Sequence, residues 1–136
     1  MRKIVLLIGA LALLQSCGPS LPKPANEFIK TYFPQAKVQE VEKEDHNGGF
    51  EAKLSDKTEI KFDQAGNWTE VDGEDGNTIP TGFFPQSIDD YVRQKGFLIE
   101  GIKKTNTGYK VDLIGSHTDL YFNHNGDLMG RSEERR

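Results

Sequence analysis

One thiol, three imidazoles and a dense set of carboxylates are the side chains of this 136-residue chain most able to do chemistry. The thiol is Cys17, the sole cysteine, so no disulfide can form within the chain. Covalent catalysis needs a nucleophile beside a base, yet no Gly-x-Ser-x-Gly elbow occurs. Neither does a His-x-x-x-His pair, a Walker loop or a dinucleotide fingerprint. His117 and His124 stand about 20 Å apart in an extended strand, too far to share a metal ion, and His46 neighbours a turn. The run Asp72-Gly73-Glu74-Asp75-Gly76-Asn77 has oxygen side chains that could hold calcium. It lacks the regular ligand spacing and final glutamate of a helix-loop-helix calcium site, so it reads as a solvated connector. The residues assign no catalytic group, no metal ligand and no cofactor.

Cys17 has a clearer context. Arg2 and Lys3 precede an unbroken apolar run, Ile4 to Leu14, followed by Leu14-Gln15-Ser16-Cys17. This is the layout of a signal peptide, and eleven residues span only about 16 Å as a helix, half a bilayer's core. The Leu-x-Ser-Cys ending resembles the lipobox of bacterial lipoproteins, with Gln15 where a small residue is usual. The resemblance implies cleavage between Ser16 and Cys17 and lipidation of Cys17, anchoring the chain to a bilayer. The expected divisions are a signal peptide over 1–16, a Pro-rich lipidated tether over 17–24, and a folded remainder. After cleavage, 15 Lys and Arg face 21 Asp and Glu, a net charge of −6. That acidity, with export, argues against nucleic acid as a partner and leaves a protein, a cation or a glycan. No acidic run follows Cys17, which favours a periplasm-facing location in the cell envelope.

Beyond residue 24 four blocks recur in one order about sixty residues apart. The first set is Phe28-Ile29-Lys30, Val38 to Lys43, Gly49 to Leu54 and Ile60 to Trp68; the second is Tyr91-Val92-Arg93, Ile99 to Lys104, Gly108 to Leu113 and Leu120 to Leu128. Each set opens with a helical stripe. Ala25, Phe28, Ile29 and Tyr32 share one face, with Asn26 as a start and Pro34 as a stop; Ile88, Tyr91 and Val92 form the other, with Ser87 as cap and Gly96 as close. The remaining blocks alternate apolar and polar residues, as in Phe50, Ala52, Leu54 against Glu51, Lys53, the pattern of antiparallel strands with one solvated face. Asp63-Gln64-Ala65-Gly66 and Asn123-His124-Asn125-Gly126 suit tight hairpin turns with a left-handed glycine. The expected fold is α+β: two tandem repeats, residues 25–76 and 77–131, each one helix packed on an antiparallel sheet of three to four strands, then a charged tail over 132–136. Whether the two sheets join stays open.

The helix ending near Phe-Pro, the Val-x-x-Val segment, Gly-aromatic-x-hydrophobic-x-Leu and Phe-Asp-x-x-Gly-Asn-Trp together resemble the PepSY-like, beta-lactamase-inhibitor-like lipoproteins over nearly all of residues 24–131. The second set departs from the pattern, with Gly96-Phe97 for Phe-Pro and Asn123 and Leu128 for Asp63 and Trp68. The resemblance implies a helix against antiparallel strands in each unit and nothing catalytic. The inhibitor name rests on fold analogy, not on inhibition.

Tyr121 lies between Leu120 and Phe122 and so points away from the core, on a face shared with Lys110, Asp112 and Asp119. These four residues are the candidate binding face, and Trp68 reads as a core or edge filler. The leading expectation is a non-enzymatic, membrane-tethered module holding or inhibiting an envelope protein through that face. A small-ligand or cation sensor, or a structural part of an envelope complex, are the alternatives.

Overall fold

The computed structural model describes residues 19–133. The signal peptide, Ser16, Cys17 and the last three residues of the charged tail lie outside the described residues. The elements run α1 (Lys23–Tyr32), β1 (Val38–Lys43), β2 (Phe50–Leu54), β3 (Glu59–Phe62), β4 (Trp68–Asp72), α2 (Gln86–Gln94), β5 (Ile99–Lys104), β6 (Gly108–Leu113), β7 (Thr118–Asn123) and β8 (Leu128–Glu133). All eight strands form one antiparallel sheet in chain order. The fold is therefore α+β, and the two sets of strands join. The join is β4 on β5, with Glu70 opposite Lys103, Val71 opposite Ile102 and Asp72 opposite Gly101.

Period-two alternation decides the faces. Phe50, Ala52, Leu54, Ile60, Phe62, Val71, Ile102, Val111, Leu113, Leu120 and Phe122 are buried together with Ala25 and Ile29 of α1 and Ile88 and Val92 of α2. Two helices on one apolar sheet face leave the other to water. Phe28 of α1 meets Phe62 edge-on at 5.9 Å, and Tyr91 of α2 meets Phe122 likewise at 5.9 Å. Between the helices, Phe83 of the connecting segment packs on Phe28, Tyr32, Trp68 and Phe84. Trp68 is a core residue, stacked on Tyr109 at 6.3 Å.

The helix starts differ from the sequence expectation. Pro22 and Pro85 occupy the cap positions, neither helix has a side-chain cap, and α1 begins at Lys23 inside the segment read as tether. Leu21 is already buried. Asn26 donates its side-chain amide to the Leu21 carbonyl, 3.2 Å. Ser87 donates its hydroxyl to the Gly126 carbonyl, 2.9 Å, so it ties α2 to the β7–β8 turn rather than capping the helix. Both hairpin glycines are seats for a helix start. Gly126 (φ +86°) would, with a Cβ, strike Ser87 and Pro85, and Gly66 (φ +95°) would crowd Pro22 and Ala25. At the other end β8 continues to Glu133, so two residues of the expected tail belong to the sheet.

A shared core and a hydrogen-bonded seam predict one cooperative unfolding transition in urea, and two separate transitions would contradict the shared core. Ile60→Ala, at a fully buried site, should lower stability by about 2–5 kcal/mol in the same experiment.

Candidate functional site

Packing of the apolar face fixes what the other face presents. Because Val111 and Leu113 are buried on β6, Asp112 between them must point outward, and the β6–β7 register sets it directly opposite Asp119. The same register sets Lys110 opposite Tyr121. The structure thus brings Lys110, Asp112, Asp119 and Tyr121 together on one patch. Lys110 Nζ lies 3.6 Å from Asp119 Oδ2 and 3.9 Å from Asp112 Oδ1, and Ser132 donates to the Tyr121 hydroxyl at 3.3 Å. Asp119 is more enclosed than an outward residue need be, with 9% of its side chain exposed.

Charge is distributed unevenly along the outer face. Towards β1 the signs alternate, with Lys53 between Glu40 and Glu59 and Lys61 between Glu51 and Glu70. In the row that crosses the β4–β5 seam from Glu59 through Asp72 and Gly101 to Asp112 and Asp119 they do not. Gly101 stands between Asp72 and Asp112 and contributes no side chain, which opens a recess of about 190 Å³. Its walls include the carboxylates of Asp72, Glu74, Asp75, Glu100, Asp112 and Asp119 and no cationic side chain.

The acidic run Asp72 to Asn77 is a connector after β4 with Asp75, Gly76 and Asn77 exposed, and it folds beside this recess. The Gly76 amide donates to Glu100 Oε2 at 2.7 Å, the Glu74 amide to Asp72 Oδ1 at 2.8 Å, and Asn77 to the Gly73 carbonyl at 3.2 Å. Glu74, Asp75 and Gly76 all take positive φ, so the chain curls tightly with its carboxylates crowded. Sequence reasoning missed Glu100 and the participation of Asp72 and Glu74 with Asp112. The missing signal is the β4–β5 register, which local alternation does not specify.

Crowding holds protons. Burial, the hydrogen bond shared with Asp119 and the Asp119 charge push the Asp112 carboxyl up to about 7, against the opposing pull of Lys110. Burial and the charges of Asp72 and Glu59 push Glu74 up to about 7 as well. Burial works against the Lys110 charge, but Asp112 and Asp119 outweigh it and raise its pKa. Asp112 Oδ1 is buried without a hydrogen-bond partner among the described residues. A positive group entering the recess would meet acceptors and displace protons, whereas an anion would be repelled. No three described His, Cys, Asp or Glu side chains converge as a ready metal cage, and His124 is engaged with the Asn106 carbonyl at 3.3 Å.

A carboxyl whose folded pKa exceeds its unfolded value contributes stability that is complete below about 4 and is lost as pH rises through about 7. Asp112→Asn should therefore raise the melting temperature at pH 8 relative to the parent and flatten its decline between pH 5 and pH 8. Unchanged pH dependence in thermal melts would contradict the shared proton.

The profile of a family described as "Putative beta-lactamase-inhibitor-like, PepSY-like" matches residues 48–130. No curated protein matches. A solved structure described as a "putative calcium-regulated periplasmic protein" of Bacteroides thetaiotaomicron is similar at TM-score 0.73 and 26% identity, covering 84% of this chain and 91% of that one. A "putative periplasmic protein of unknown function" of Bacteroides vulgatus is similar at TM-score 0.72 and 29% identity, covering 84% and 93%. A second B. vulgatus periplasmic protein shares the fold at TM-score 0.71 and 24% identity, covering 83% and 91%. No described helix is long and apolar enough to cross a membrane. With the profile spanning more than half of the sequence, from the end of the first turn to β8, the chain belongs to the PepSY-like, beta-lactamase-inhibitor-like family.

Proposed function

We propose that the chain is a non-enzymatic binding module of the periplasm, lipid-anchored at Cys17, whose outer sheet face takes a basic segment of an envelope protein. The observation that carries this reading is the acidic recess over Gly101, where one buried Asp112 oxygen has no hydrogen-bond partner among the described residues and crowding raises the Asp112 carboxyl. A lysine or arginine side chain inserted there would gain charge-assisted hydrogen bonds that the free protein forgoes. Tyr121 beside it supplies a flat contact of the kind that anchors protein interfaces. The periplasmic relatives support the location, and the matching order of helix and four strands in each half supports an internal duplication.

The Gly66 turn and the recess lie at opposite ends of the sheet. Leu21 is packed into the fold beside the Gly66 turn, so the slack from Cys17 is four residue steps, at most about 14 Å. A lipid on Cys17 would then hold the β3–β4 turn near the bilayer. The Asp72–Asn77 segment and Ser116 sit at the far ends of their strands, so the recess would open away from the membrane, towards a partner.

A second reading is calcium at the same recess, favoured by its six wall carboxylates and by the calcium-regulated description of the B. thetaiotaomicron relative. The Asp72 to Asn77 turn would then need to tighten around the ion.

The domain, captured from envelope extract at low salt, should retain a partner that the Asp112→Asn, Asp119→Asn double variant loses and Tyr121→Ala weakens; full retention by all variants would sink the reading. Millimolar calcium should raise the melting temperature only if the second reading holds, and that rise should vanish in Asp72→Asn with Asp75→Asn.

A further inference from the structure

The sheet has a free edge at β1, away from the recess. Among the described residues β1 pairs only with β2, so one row of its backbone N–H and C=O groups is unpaired. Beside that edge lies a groove of about 490 Å³ lined by Asn26, Ile29, Lys30, Phe33, Pro34, Ala36 and Val38, most of its surface carbon. Val38 is 41% exposed there.

Within the same molecule, β5 shows what such an edge accepts. Its register matches that of β1: Ile99 opposite Leu113, a bulge, then Gly101 opposite Asp112; on β1, Val38 opposite Leu54, a bulge, then Glu40 opposite Lys53. β5 is covered by β4, which lays Val71 against Ile102 on the apolar side and sets Glu70 against Lys103 on the polar side. The bulge therefore does not bar strand addition. At the corresponding places β1 presents Val41 on the apolar side and Glu42 and Glu40 on the polar side.

The other edge, β8, sets Arg131 opposite Leu120 much as β1 sets Lys43 opposite Phe50, and the groove beside Val38 is what recommends β1. A second copy is also a poor occupant of β1, since antiparallel pairing of two β1 strands would bring Glu40 and Glu42 against the same residues of the other copy. These two already crowd each other: the hydrogen bond with Glu40, and then its charge, raise the pKa of Glu42.

We propose that β1 is a docking edge for an extended polypeptide in which basic and apolar residues alternate, adding as a ninth strand with its apolar side chains in the groove under α1 and its basic ones over Glu40 and Glu42. Main-chain pairing would supply affinity and the alternating pockets specificity.

The probe is an acetylated, dye-labelled ten-residue peptide alternating Lys and Val, with a Glu-Val peptide as control, titrated into the domain by fluorescence polarisation. The wild type should bind Lys-Val and not Glu-Val, and hydrogen exchange should show new protection of β1 amides. Glu40→Lys with Glu42→Lys should weaken Lys-Val by about tenfold or more and admit Glu-Val. Val38→Asp, at a site 41% exposed, should weaken Lys-Val. Failure of the wild type to bind Lys-Val at millimolar concentration, binding without β1 protection, or dimerisation through β1 in sedimentation would each overturn the proposal. Asp112→Asn with Asp119→Asn should leave the peptide's protection of the β1 amides unchanged, whatever binding at the recess is lost, which separates this edge from the recess.

Discussion

The constraint on which the rest depends is the burial of alternate residues of β6 and β7 beneath α2. Val111 and Leu113 on one strand and Leu120 and Phe122 on the other cannot leave the core without exposing a large apolar area, so their intervening neighbours have no choice of direction. Asp112 and Asp119 are forced out on the same side and, by register, against each other. Two like charges directly opposite are unfavourable on a sheet, and the molecule offsets this with Lys110, which lies against both, and with a raised Asp112 carboxyl rather than by moving the strands. Apolar burial outweighs the electrostatic cost, and the cost is what makes the face receptive to a cation.

The seam between β4 and β5 extends that effect. Joining the two sets of strands places Asp72 one position from Asp112, with only the backbone of Gly101 between them. A side chain there would approach the Val71 carbonyl to 3.2 Å and Asp112 to 3.5 Å, filling the recess floor. Glycine thus serves packing at the seam and the opening of the recess at once. The turn from Asp72 to Asn77 then adds Glu74 and Asp75 to a wall that Glu100 closes by binding the Gly76 amide.

Much of this was legible in the residues. Alternation in Phe50 to Leu54 and Gly108 to Leu113 identified strands and faces, because a half-buried strand can satisfy its core in only one phase. For the same reason Lys110, Asp112, Asp119 and Tyr121 could be placed on one face. The helix starts were less legible. Asn26 and Ser87 are residues that commonly cap, but here prolines set the entry and the two side chains bond to more distant carbonyls, which only the packing against the hairpin turns decides. The recess was not legible. It depends on the pairing of β4 with β5, two strands separated in sequence by a whole helix, and on Glu100, whose neighbours give it no local distinction.

The most direct measurement of the central claim is a carboxyl NMR titration of Asp112 in the folded domain from pH 3 to pH 9. The account predicts a midpoint near 7 that falls towards the ordinary carboxylate range in Asp119→Asn. A midpoint near 4 in the parent protein would show that the two carboxylates ionise independently, and the recess would then be an ordinary solvated acidic surface.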